Sequence, residues 1–165
     1  MRFNVATLLQ EPTGSVRRYP LEPGAQVHAG SVRLVRTPGG VLVEGTFEAL
    51  NDAVCSRCLA PFSSRTPVEF EEVFHQQFDL ATGRRMPGPD DSDAFLISTR
   101  NIIDITEAVR QYSEVAAALQ PLCNVDCPGL CPVCGVDLNL SRCDCDREPA
   151  DPRWAALAAL KRPQG

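Results

Sequence analysis

The sequence predicts an α+β protein: an antiparallel β-rich N-terminal part, one long helix, a cysteine-rich lobe and a short C-terminal helix. Three observations predict it. Period-two apolar alternation runs through residues 1–80, the period changes to a helical one over 100–120, and eight cysteines fall in close pairs.

The β-part rests on three stretches. In Val41–Leu50, one face carries Val41, Val43, Phe47 and Ala49, and the other carries Glu44, Thr46 and Glu48. Gly39-Gly40 is a turn signal just before it, and Ser31–Arg36, with Val32 and Leu34 alternating against Arg33, is its expected partner strand. Val68–Phe74 adds another strand with Val68, Phe70 and Phe74 on one side. Residues 83–93 read as a loop. Ile105, Ala108, Val109, Tyr112, Ala116 and Leu119 then follow helical spacing, with Asp104 as N-cap, Glu107 completing a capping box and Pro121 as the stop. Residues 121–147 form the cysteine-rich lobe. A C-terminal helix is expected over 151–162, capped by Asp151, with Pro152 in its first turn and Trp154, Leu157 and Leu160 as its apolar stripe.

A length of 165 residues fits one domain, 1–165, at roughly 100–200 residues per domain. The 44% apolar content excludes a disordered chain, and 14 Pro with 11 Gly argue for turns over a helical bundle. No apolar run approaches the ~18 residues of a membrane span. The net charge is −5, with the acidic excess in the second half, which makes the chain a poor non-specific nucleic-acid binder. All basic residues except Lys161 are Arg; this reads as compositional bias, although Arg also suits bidentate phosphate contacts. Met1–Pro20 shows neither the apolar run nor the cleavage site of a secretory signal, so the expected location is the cytoplasm, where thiols stay reduced.

Cysteines in a reducing compartment read as metal ligands first. Cys55 and Cys58 form C-x2-C, Cys123 and Cys127 C-x3-C, Cys131 and Cys134 a second C-x2-C, and Cys143 and Cys145 C-x-C. Zinc takes about four ligands in a tetrahedron, and each short hairpin delivers two thiolates. The expected cofactor is therefore zinc, two per chain. Site one is Cys55, Cys58, Cys123 and Cys127; site two is Cys131, Cys134, Cys143 and Cys145. The sharpest local signal is Cys131-Pro132-Val133-Cys134-Gly135, a tight turn in which Gly135 supplies the positive φ after the second ligand. Site one closes a loop of 64 intervening residues. That costs roughly 3.7 kcal/mol in chain entropy, against ~10–16 kcal/mol from a structural zinc site. Such a site would clamp the β-part to the end of the helix. A rival grouping places Cys123, Cys127, Cys131 and Cys134 on one ion and Cys55, Cys58, Cys143 and Cys145 on the other.

Other readings of these cysteines are weaker. Disulfides need an oxidising compartment, and bridges within C-x-C or C-x2-C are strained. A thioredoxin-like C-x2-C needs a βαβ context. Thiolates also hold iron–sulfur clusters, but the Cys-Pro-x-Cys-Gly turn favours zinc. No catalytic residues are identified. His28 and His75 sit in no ligand motif and read as surface residues; Glu69–Glu72 and Asp90–Asp93 read as solvated faces or loop. Arg57 is either an exposed contact residue or a counter-charge to the thiolates. Two four-thiolate zinc sites would take the chain to about −9, so RNA contact must be local or shared with a partner.

With this pattern in place, the chain resembles the YceD family, the large ribosomal RNA subunit accumulation proteins. The matching residues are Cys55-Ser56-Arg57-Cys58-Leu59, Pro121-Leu122-Cys123, Cys127 through Gly135 running on to Leu138-Asn139, Cys143-Asp144-Cys145 and Asp151-Pro152-Arg153-Trp154 with Leu157 and Leu160. The likeness spans nearly the whole chain, is most specific over 121–160 and is weak before residue 40. Some relatives keep the first C-x2-C and the pair after the helix but lack the Cys-Pro-x-Cys-Gly segment, which favours site one as a complete unit. The resemblance implies a single YceD-like domain with a non-enzymatic role in accumulation or maturation of large-subunit (23S) ribosomal RNA. The implied partner is that RNA, a pre-ribosomal particle or a ribosomal protein, with no membrane and no small-molecule substrate. Two rival classes stand beside it: a zinc-stabilised adaptor without an RNA role, and a thiol- or zinc-dependent enzyme.

Overall fold

The computed structural model describes residues 1–80, 82–88, 94–145 and 153. Four strands, β2 (Val16–Leu21), β3 (Val27–Thr37), β4 (Gly40–Val54) and β5 (Pro61–His75), form an antiparallel meander in chain order. A second, two-stranded sheet pairs β1 (Arg2–Asn4) antiparallel with β6 (Ile102–Asp104). Two helices complete the described elements: α1 (Ala6–Gln10) and α2 (Thr106–Ala116).

The alternation in β4 does what its pattern predicts. Val41, Val43, Phe47 and Ala49 are buried, and Gly45 shares their face. Gly45 opposes Phe70, and a Cβ there would lie 2.0 Å from the Phe70 ring, so only glycine admits that ring. Phe70 meets Phe47 edge-on and Tyr112 at 5.4 Å, which ties β4, β5 and α2 into one core. Thr37 pairs with Gly40, so Pro38-Gly39 is a two-residue hairpin turn. Pro20 sits on edge strand β2, where its missing N–H costs no interior ladder bond. Leu8 of α1, Ile97, Ile103, Ile105 and Val109 close the same core. Each such side chain contributes roughly 1.5–3 kcal/mol on full burial.

Several expectations need correcting. The helix is not a long one over 100–120: α2 has 11 residues and ends at Ala116, where Ala117 turns extended. Beyond that point residues 117–120 are exposed and no apolar face holds them to the sheet; Leu119 is fully exposed. Asp104 is not the N-cap. Ile105 holds that position, although the Asp104 carboxylate accepts bonds from Thr106 N at 3.1 Å, Thr106 Oγ1 at 2.6 Å and Arg2 Nε at 2.7 Å. Glu107 closes no capping box and pairs instead with Arg110. The C-terminal helix expected over 151–162 and the cluster Asp90–Asp93 lie outside the described residues, Arg153 excepted. Among the described residues, no helix is long and apolar enough to cross a membrane.

Candidate metal centre

Pairing between β3 and β4 runs out at Ala49, but β4 and β5 stay paired as far as Val54 and Pro61. The end of the sheet is thus a two-stranded ribbon, and its turn is the first cysteine hairpin. Cys55 N donates to Ala60 O and Leu59 N to Cys55 O, both at 2.9 Å. Leu59 adopts a left-handed φ of 60°, the position filled by Gly135 (φ 75°) after the Cys131–Cys134 hairpin.

The chain leaving α2 runs to this ribbon tip. Ser56 N donates to Pro121 O at 2.8 Å, and Leu130 N to Arg57 O at 3.1 Å. Gly129 has φ 79°, and a Cβ there would lie 2.9 Å from Arg57 O. An Asx turn, Asp126 N to Asn124 Oδ1 at 3.0 Å, folds the segment between Cys123 and Cys127. The Sγ atoms of Cys55, Cys58, Cys123 and Cys127 consequently lie within 4.8 Å of one another. Cys55–Cys127 is 3.9 Å and Cys58–Cys123 is 3.6 Å. Cys55, Cys58 and Cys127 are buried, with Phe62, Leu122 and Leu130 packed around them; Cys123 is exposed.

The second set is local. Gly135 N donates to Cys131 O at 2.9 Å and Cys131 N to Val136 O at 2.8 Å, which closes the turn. Val133 N points at Cys131 Sγ (3.4 Å) and Cys145 N at Cys143 Sγ (3.3 Å). Cys131, Cys134, Cys143 and Cys145 also gather within 4.8 Å, with Cys143 at 3.3 Å from Cys131 and 3.5 Å from Cys134. Cys131 is buried and the other three are not. None of the eight cysteines is joined to another in a disulfide.

The donor sets fit a tetrahedral thiophilic cation. With zinc–sulfur bonds of ~2.3 Å, the edge of an S4 tetrahedron is ~3.8 Å. The four sulfur–sulfur distances above run from 3.3 to 3.9 Å, around that length. The electrostatics of the thiols point the same way. Backbone N–H groups of Cys123 and Cys58 bring the Cys55 thiol down to about 6, and those of Cys134 and Val133 do the same for Cys131. Cys123 is pushed up to about 12, chiefly by Cys58, and Cys145 to about 12, chiefly by Cys143. Charge is therefore favoured on Cys55 and on Cys131, while Cys58 and Cys123 in one set and Cys143 and Cys145 in the other become harder to ionise, a repulsion that a bound cation relieves.

Geometry brings together the two foursomes of site one and site two, not the mixed sets of the rival grouping. His28 and His75 belong to neither set. Glu69 and Glu71 are exposed, whereas Glu72 accepts a hydrogen bond from Tyr112 Oη at 2.9 Å. The Arg57 guanidinium donates to Cys127 O and Val125 O. Spacing reasoning missed the role of Asn139, whose Nδ2 donates to Cys127 Sγ at 3.4 Å. Nothing in the spacing marks this contact, which depends on how the two turns stack.

Residues 43–161 match the family model described as large ribosomal RNA subunit accumulation protein YceD. An uncharacterized protein of Mycobacterium tuberculosis is 34% identical over 133 residues, covering 81% of this chain and 61% of the relative. The chain thus spans about three fifths of the length of these mycobacterial relatives. An uncharacterized protein of Mycobacterium leprae is 26% identical over 94% of this chain and 70% of its own length. A chloroplastic protein of Arabidopsis thaliana, named large ribosomal RNA subunit accumulation protein YCED homolog 1, is 25% identical over 90% of this chain and 52% of its own. No solved structure matches the chain.

Proposed function

The chain belongs to the YceD family, and from that premise we propose that it is a non-enzymatic, zinc-binding factor for accumulation or maturation of large-subunit (23S) ribosomal RNA in the cytoplasm. In this reading residues 1–165 are one YceD-like domain, and the eight cysteines hold two zinc ions. Zinc held by four thiolates is a redox-inert crosslink with no open coordination position, which suits scaffolding better than catalysis.

The observation that carries the reading is the pair of sulfur foursomes, one at the tip of the β4–β5 ribbon and one in the adjoining lobe. The residues of this chain do the positioning. Cys55 and Cys58 terminate the ribbon, Cys123 and Cys127 bring in the chain that follows α2, and Arg57 and Gly129 set the two backbones in contact. Closed by metal, the arrangement presents fixed loop surfaces to a pre-ribosomal particle or a ribosomal protein. Sedimentation of cell extracts tests this. The reading expects the protein with large-subunit precursors, and 23S RNA to fall on its deletion. Absence from every ribosomal fraction with normal 23S RNA would refute it.

The net charge favours docking through a protein over direct RNA contact. The chain carries −5 before metallation, and the thiolate excess of two zinc sites makes it about −9. Direct recognition of RNA phosphates would give binding that weakens steeply with salt. Docking on a ribosomal protein predicts binding that survives removal of the RNA by nuclease.

A further inference from the structure

The two clusters are unlike in burial, and a side chain from the loop of the second reaches a sulfur of the first. In the first, Cys55, Cys58 and Cys127 are buried; in the second, Cys134 is exposed. Asn139 lies in the loop that joins Cys134 to Cys143, yet its amide reaches Cys127 Sγ of the other cluster at 3.4 Å. That amide is held from within its own loop: Asn139 Nδ2 and Asn139 N both donate to Asp137 Oδ1, at 2.6 and 2.9 Å. Asp137 is in turn bridged to Leu130, and Leu138 N donates to Gly129 O at 2.9 Å. The stretch 136–139 is therefore laid along 129–131, with Cys131 at one end and the Cys134–Cys143 closure beyond it.

We propose that Asn139 couples the two clusters: closing the loop between Cys134 and Cys143 sets the amide that hydrogen-bonds Cys127, so that filling the second cluster tightens the first. This rests on reading both sulfur foursomes as metal sites. Asn139 acts through a ligand, so it is a positioning residue. Groups that donate hydrogen bonds to ligating atoms change metal affinity about 10–100-fold when removed. The side chain belongs to one site and its sulfur acceptor to the other, so that contribution depends on the second site being closed.

The test loads the full chain with cobalt(II) and follows release to a chelator by the thiolate-to-cobalt absorption. Wild type should bind two ions and lose them in two phases, the slow one from the buried first cluster. Asn139→Ala should speed the slow phase about tenfold and spare the fast one. Asn139→Asp keeps the shape but loses the donor, and should do the same. Cys134→Ser with Cys143→Ser should leave a single ion that departs as fast as the accelerated slow phase, and adding Asn139→Ala to it should change nothing further. A slow phase untouched by Asn139→Ala, or wild-type retention in the double cysteine variant or in Asn139→Asp, would overturn the coupling. Wild type that shows no thiolate-to-cobalt absorption would overturn the metal-site reading itself.

Discussion

Arg57 Nη1 lies 2.9 Å from the carbonyl oxygen of Cys127, a bond that crosses from the ribbon tip to the segment after α2. Arg57 O simultaneously accepts from Leu130 N at 3.1 Å. The residue between the first two cysteines is thus a staple between two backbones. Arg57→Ala removes bonds from a charged donor and should cost about 1–2 kcal/mol. Arg57→Lys, with a single point of donation, should recover only part. Thermal unfolding of the metal-loaded chain reads both.

Gly129 and Gly135 share a left-handed backbone but not a neighbourhood. A Cβ on Gly129 would lie 2.9 Å from Arg57 O, while one on Gly135 meets nothing within 4 Å. Gly135→Ala should therefore cost only left-handed strain, about 1 kcal/mol. Gly129→Ala adds a backbone clash at the junction of the two hairpins and should cost clearly more. Denaturant midpoints of the two variants give the ordering, and equal losses would show that the close approach at Gly129 carries no energy.

Losing a ligand should have consequences as different as the placement of the two clusters. Cys58→Ser opens the set that ties the ribbon to the chain after α2, and should cost several kcal/mol, a sizeable share of a structural zinc site. Cys134→Ser opens a set confined to residues 131–145 and should reach the sheet only through the loosened first cluster. Hydrogen exchange along β4 and β5 distinguishes them: fast exchange at Leu50–Val54 and Pro61–Arg65 in Cys58→Ser, and in Cys134→Ser a rise of no more than about tenfold there.

Asp104 gives stability a pH dependence. Burial alone would raise its carboxyl, but hydrogen bonds from Thr106 and from Arg2 hold it well below the usual carboxylate range. A carboxyl depressed in the folded state stabilises above its unfolded value near 4 and loses that contribution as pH falls towards its folded value. The side chain is 40% exposed, so solvent screening keeps the contribution to about 1 kcal/mol. Asp104→Asn should destabilise by that amount at pH 7 and flatten the decline below pH 4. Parallel melts at pH 7 and pH 3 check the sign.

The parts of the fold that could be read in advance are those with long periodic patterns. Val41, Val43, Phe47 and Ala49 revealed β4, and Val68, Phe70 and Phe74 revealed β5, because one face of each is buried. The strands extend past those limits since pairing to Val54 and Pro61 depends on the hairpin, not on hydrophobicity. α1, β1 and β6 are too short for any period to show, and β2 is masked by Arg17, Arg18 and Pro20. The helix limit failed for a different reason: Ala117–Gln120 suits a helix locally, but nothing packs against it. Cysteine spacing identified which sulfurs could come together. Spacing carries no trace of Arg57 reaching Val125 and Cys127, or of Asn139 reaching across clusters, because those contacts depend on how two turns are stacked.

Native mass spectrometry of the intact chain, purified reduced and without chelators, tests the central claim most directly. The account predicts a mass of one chain plus two zinc ions, returning on acid release to a chain with all eight thiols reduced. A folded chain without metal, or one lighter by the hydrogens lost to disulfides, would contradict it.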